Sequence, residues 1–175
     1  MMQDRNTSVR NALLLAAALA ISAPLVLAQS QIRRTPDGKP DFSGIWDHPP
    51  IVDMTKDGKN QKGAGELPYT EWSKAHLVEE QDNAAHCLPL GHVRNMGTPF
   101  LMEIFQRPTR VVLLHEFNNE FHVVFMDGRG HPDDLDATWA GHSIGKWDGD
   151  TLVIDTVGFN EKTRLDVVGH PHTDA

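Results

Sequence analysis

Residues 138–157 read TWAGHSIGKWDGDTLVIDTV, and the periodicity of this stretch decides the fold. Two runs of alternating residues flank Asp148-Gly149, a strong short-range hairpin signal. With that pair as a two-residue loop, counting outward sets Trp147 opposite Asp150, Ile144 opposite Val153 and His142 opposite Asp155. Directly opposed residues have Cβ atoms about 4.5–5.5 Å apart. An aspartate at that distance orients an imidazole and raises its basicity. Ser143 points to the other face of the strand, so a Ser-His-Asp nucleophile from residues 142, 143 and 155 is not expected.

The preceding segment has the same form. Residues 110–126 read RVVLLHEFNNEFHVVFM. With Asn118-Asn119 as the loop, Glu116 faces Phe121 and His115 faces His122. Two imidazoles so placed can share a metal or a proton, and Glu120 lies on the His122 face. Val111 and Leu113 alternate with Val112 and Leu114, so both faces of the strand are apolar, as in a central sheet or a closed barrel. Residues 127–134, DGRGHPDD, form a turn-rich loop between the hairpins and carry His131.

The chain opens with a leader. Arg5 and Arg10 precede an apolar run from Ala12 to Leu27, and Val26-Leu27-Ala28 suits cleavage after Ala28. Ser22 and Pro24 interrupt the run, which is short for a membrane span. Residues 1–28 therefore read as a signal peptide. Export to a bacterial periplasm or the extracellular space follows, with no membrane span after cleavage. The net charge is −8. That is a poor match for nucleic acid or an anionic membrane surface. Cys87 is the sole cysteine, so no internal disulfide forms, and it reads as a buried structural residue.

Residues 29–40 read as an extended arm with a turn at Pro36-Asp37-Gly38. A single β-rich domain follows over residues 41–175. Residues 41–46 form a first strand, Thr70 caps a helix from Glu71 to about Asn83, residues 87–92 are a link, and residues 100–107 are strand-like up to Pro108. The fold class is mainly β: an antiparallel meander forming a barrel or strongly curved sheet, with one N-terminal-side α-helix. The last residues, GHPHTDA, contain no cap or strand, and the domain reads as truncated.

Four motifs carry a resemblance. They are Pro36-Asp37-Gly38 with FSGIW at 42–46, CLPLG at 87–91, DGRGHP at 127–132, and GHSIGKWDGDTLVIDT at 141–156. Together they resemble a family of exported, functionally uncharacterised bacterial proteins of soil proteobacteria and acidobacteria. The resemblance spans nearly the whole mature chain and implies export and a β-rich fold. Family members continue beyond the equivalent of Ala175. Gly44-Ile45-Trp46 is also similar to the first-strand motif of lipocalin-like barrels, where the Trp plugs the barrel floor.

Histidine occurs 10 times. His142 and Asp155 form the candidate catalytic pair, as base and orienter. The candidate metal ligands are His115, His122, His131, His170 and His172, for a divalent zinc, copper or iron. His170-Pro171-His172 presents two rings to one side of an extended segment, with Asp174 two residues on. No P-loop, dinucleotide fingerprint, His-Glu-x-x-His, Cys-x-x-Cys or Gly-x-Ser-x-Gly motif is present. The leading functional expectation is a metal- or His-dependent enzyme acting on a small or carbohydrate-like substrate. The alternatives are a lipocalin-like small-ligand-binding protein and an envelope or interaction protein with incidental histidines.

Overall fold

A computed structural model describes residues 32–59, 61–77 and 83–173. The expected signal peptide, Asp174 and residues 78–82 of the expected helix lie outside the described residues. The chain divides into two compact units, Met1–Ile32 and Arg33–Ala175, and every element named below belongs to the second.

Six strands form one sheet in sequence order: β1 (Gly44–Trp46), β2 (Met102–Arg107), β3 (Arg110–His115), β4 (Phe121–Phe125), β5 (His142–Asp148) and β6 (Thr151–Val157). The protein is mainly β. β1 and β6 are the sheet's edges and do not pair, so the sheet is open and not a closed barrel. Trp46 accordingly plugs no barrel floor; its indole N–H donates to the Phe42 carbonyl and the ring stays half-exposed. Nor is the meander wholly antiparallel. β4 and β5 run parallel, with Val124 opposite Ser143 and Phe125 opposite Ile144. Parallel neighbours need a long crossover, which the turn-rich segment between them supplies.

Both hairpins form, but each pairing is displaced by two residues from the sequence expectation. In the first, Leu113 opposes His122 and the His115 N–H donates to the Glu120 carbonyl at 2.8 Å. Asn118 and Asn119 do adopt positive φ, 57° and 52°, as a primed turn requires. The loop is longer because Glu116 is taken by the neighbouring strand: its N–H donates to the Leu101 carbonyl, and its carboxylate accepts from the Leu101 N–H, both at 3.0 Å. In the second hairpin Asp148 opposes Thr151, so Gly149-Asp150 is the loop. Only Gly149 has positive φ there, 57°. Asp150 is held outside the ladder by a bidentate pair with Arg34 at 2.6 and 2.8 Å. His142 therefore opposes Val157, and Asp155 opposes Ile144. A displacement of two keeps every side chain on its expected face, because the strand period is two.

One face carries the core: Met102, Val111, Leu113 and Val124, with Met96, Ile104, Met126 and Leu152 against them. His115, His122 and Ser143 are buried on this same face. The other face, with Phe105, Phe121 and Val153, is substantially exposed. The expected arm is not extended over residues 33–41. It turns back on itself, with Arg34 bridging to Pro40, and is fastened to the β5–β6 turn by Arg34–Asp150 and by Phe42 stacking on Trp147 at 5.8 Å.

The expected helix begins where the cap predicts but ends at Ala75, with its C-cap at His76, short of the expected Asn83. Thr70 accepts from the Ser73 N–H, and α1 runs Glu71–Ala75. A second short helix, α2 (His92–Asn95), begins at the last residue of the expected link and runs on beyond it. Its entry is set by Gly91 at φ 82°, where a Cβ would lie 2.7 Å from the Trp139 carbonyl. Cys87 is exposed, contrary to the buried expectation, on a turn at φ 57°. No helix among the described residues is long and apolar enough to cross a membrane.

Gly145 lies on the core face directly under β4. A Cβ there would meet the Met126 sulfur and sit 2.9 Å from Val124 Cγ1. Gly145→Ala is expected to lower stability by about 1–3 kcal/mol through overpacking. Chemical denaturation checks this: an unchanged midpoint would mean that the β4–β5 contact is not close-packed.

Candidate functional site: three histidine centres

The candidate ligands do not gather into one pool. They separate into three centres, and each recruits residues that the sequence does not single out.

The first centre lies on the core face. His115 and His122 are both about 2% exposed. Displaced from direct opposition, they are linked by His92 of α2, whose ring stacks on His122 at 3.7 Å and tilts against His115 at 5.7 Å. His48 is close enough for its charge to act on His115. His122 Nε2 shares a hydrogen bond with Ser143 Oγ at 2.7 Å, and Ser143 Oγ in turn meets Thr156 Oγ1 at 2.6 Å. α2 is held in place by Glu120, whose carboxylate accepts from the Leu90 and Gly91 N–H groups at 2.8 and 3.1 Å. Glu120 is thereby spent on positioning and is not a ligand.

Burial dominates the charge chemistry of this centre. It pushes His92 down to about 3, with His122 and His115 adding to the effect. It pushes His115 down to about 4, helped by His48. It pushes His122 down to about 4, helped by His115 and opposed by the Ala140 backbone. All three rings are neutral at pH 7. Their outward nitrogens are nevertheless unpaired: His92 Nδ1, His115 Nε2, His122 Nδ1 and both ring nitrogens of His48 are buried without a hydrogen-bond partner.

The second centre lies on the opposite face. His142 and Asp155 are diagonal neighbours across β5 and β6, about 7–8 Å apart, and share no hydrogen bond or ion pair. His131 fills that gap from the β4–β5 loop. Its Nδ1 is 2.9 Å from His142 Nδ1, and its Nε2 is 3.6 Å from Asp155 Oδ2. His131 therefore stands between the expected pair, hydrogen-bonded to His142 and near Asp155 without a hydrogen bond to it. The His142 ring stacks on Phe125 at 5.3 Å, and the Arg129 guanidinium sits 4.0 Å over the same phenyl. Burial, then His131 and Arg129, lower the His142 pKa.

The third centre joins the C-terminal segment to the loop after β1. His170 Nδ1 meets Asp166 Oδ2 at 2.5 Å, and Asp166 also accepts from the Met54 N–H at 2.7 Å. Tyr69 stacks on His170 at 5.9 Å; burial raises the pKa of its phenol, as do Asp166 and Asp53. Asp53, Asp166 and His170 each offer a ligand atom within 4.8 Å of the others. Those atoms are already engaged. Asp53 takes the Thr55 hydroxyl at 2.5 Å and Lys56 at 2.9 Å, which hold its pKa well below the usual carboxylate range. Tyr69 and His170 border a cleft of 520 Å³ with Leu77, Val167 and Val168. His172 does not join His170 as a ligand pair; it bonds to the Thr163 hydroxyl and packs edge-on to Phe159.

His48, His92, Asp53 and Asp166 have no periodic signal, because each sits on a loop or a single helical turn. The chain matches no family model, no curated protein and no solved structure.

The neutral histidines set the acid stability. Their pKa values are lowered on folding, so below the usual 6.5 the unfolded chain binds protons that the folded chain refuses until about 4. Stability from this source is constant above 6.5 and falls as the pH drops from 6.5 toward 4. Thermal melts across that range should show a declining Tm, with a shallower decline for His122→Gln. A flat Tm from pH 6.5 to 4 would mean that the rings are not buried neutral.

Proposed function

We propose that the protein is an exported, histidine-dependent enzyme in which His142 is the acid–base group, His131 its relay and Asp155 the terminal carboxylate. The observation that carries this reading is the His142–His131 contact of 2.9 Å between Nδ1 atoms, with Asp155 beside the far nitrogen of His131. The carboxylate favours a proton on His131 Nε2. His131 Nδ1 then accepts from the Nδ1–H of His142. That tautomer puts the lone pair of His142 on Nε2, at the open end of the chain, where it can take a proton from a substrate hydroxyl or an attacking water. The lowered pKa keeps this base neutral at pH 7. The substrate class is a small, carbohydrate-like molecule.

A second reading, small-ligand binding without turnover, is favoured by the 520 Å³ cleft beside Tyr69 and His170. The two readings differ in which residues a ligand protects from exchange.

A panel of chromogenic esters, phosphates and glycosides tests the enzyme reading. One class should be turned over, with kcat/KM falling about 10²–10⁴-fold in His142→Gln. His131→Gln and Asp155→Asn should fall less and should shift the acidic limb of the pH profile. That limb should lie below the ordinary histidine range. Equal rates for wild type and His142→Gln across the panel would sink the reading. Export predicts that the mature protein recovered from the producing cell begins at Gln29, as read by mass spectrometry of its N-terminal peptide.

A further inference from the structure

We propose that the core-face cluster of His92, His115 and His122 is a binding site for a single first-row transition-metal ion. It lies on the opposite face of the sheet from His142 and does not depend on the enzymatic reading. The first support is the set of unpaired atoms. Buried polar groups in folded proteins are nearly always hydrogen-bonded, and a concentration of orphans points to a missing ion or water. Here three neighbouring rings leave His92 Nδ1, His115 Nε2 and His122 Nδ1 buried with no partner.

The second support is the chemistry of the donors. A metal needs an imidazole lone pair, and each of these rings has an unpaired nitrogen to offer. The cluster is all nitrogen, with Glu120 tied to the Leu90 and Gly91 N–H groups. Imidazole sets suit Zn²⁺, Cu²⁺ and Ni²⁺; Mg²⁺ and Ca²⁺ want oxygen. The third support is the outer shell. A ligating histidine usually has its other ring nitrogen held by a hydrogen bond, which fixes ring and tautomer. His122 has this arrangement: Nε2 is held by Ser143, backed by Thr156, and Nδ1 is left unpaired.

Asp53–Asp166–His170 is the group among the described residues whose ligand atoms already lie within 4.8 Å of one another, but those atoms serve Thr55, Lys56 and Met54. The core-face rings offer unpaired nitrogens that must still be drawn together by the ion. The core-face rings need one adjustment. His92 and His122 lie nearly parallel, 9° apart at 3.7 Å, and one ion cannot lie in both ring planes. His122 is pinned by Ser143, whereas His92 is only half-buried on a short helix. His92 is the ring that turns when the ion enters.

Metal titration of the purified full chain, stripped by chelator, tests the site. Zn²⁺ and Co²⁺ added alone, followed by calorimetry and by the visible Co²⁺ spectrum, should bind one ion per chain at the cluster. His115→Gln or His122→Gln should weaken binding by more than about 100-fold, and Ser143→Ala by about 10–100-fold. His142→Gln and Asp53→Asn should leave it unchanged. Nitrogen-detected NMR of the wild-type histidine rings gives a readout that needs no variant to fold. Zn²⁺ should move the ring signals of His92, His115 and His122 together. Absence of saturable binding would overturn the proposal. So would binding that is lost in Asp53→Asn or His142→Gln, or Zn²⁺ shifts confined to His131, His142 or His170.

Discussion

The seam between β4 and β5 is the contact on which the rest of the structure depends. It consists of two parallel residue pairs, Val124 with Ser143 and Phe125 with Ile144, and it joins two otherwise separate antiparallel blocks. Val124 and Ser143 are both fully buried at this join. On the core face the seam brings His122 within hydrogen-bonding reach of Ser143 and Thr156, and leaves no room for a side chain at Gly145. On the other face it sets Phe125 against His142. Two histidine centres, one on each side of the sheet, thus hang on the same pair of residues. The loop that makes a parallel seam possible also delivers His131 to the second of them.

The interior is unusually polar. Among the described residues the buried apolar side chains are Leu90, Met102, Val111, Leu113 and Val124, while His115, His122, Asn95, Ser143, Asp166 and His170 are buried beside them. Burying a polar group costs free energy unless a partner replaces water. The Asp166–His170 pair and the His122–Ser143–Thr156 chain meet that condition. The unpaired nitrogens of His48, His92 and His115 do not. His92, His115 and His122 avoid the larger penalty of a buried charge by staying neutral. Neutrality is also the condition for a histidine to act as a ligand, so the energetics of the core and its candidate chemistry have one origin.

Much of the fold was legible in advance because it rests on local signals. The alternation in residues 110–126 and 142–157 placed four strands, and Thr70 placed a helix start. The errors came from interactions between distant segments. Leu101 draws Glu116 out of the first turn, and Arg34 draws Asp150 into the second. Each displaces a register by two residues. That is enough to part His115 from His122 and His142 from Asp155, yet it leaves all four on their expected faces. The helical turn that bears His92 follows the link at residues 87–92 and gave no signal, since four residues cannot display a period.

The sequence by itself determined which residues are strands, which face each side chain takes, and that histidine is the available chemistry. Those properties follow from a period of two and from composition, and neither depends on distant contacts. The tertiary structure alone decided which histidines meet. His131 enters between His142 and Asp155, and His92 between His115 and His122. Both arrive from segments without periodicity, carried by a loop and by a single helical turn. Their positions are set by where those segments dock on the sheet.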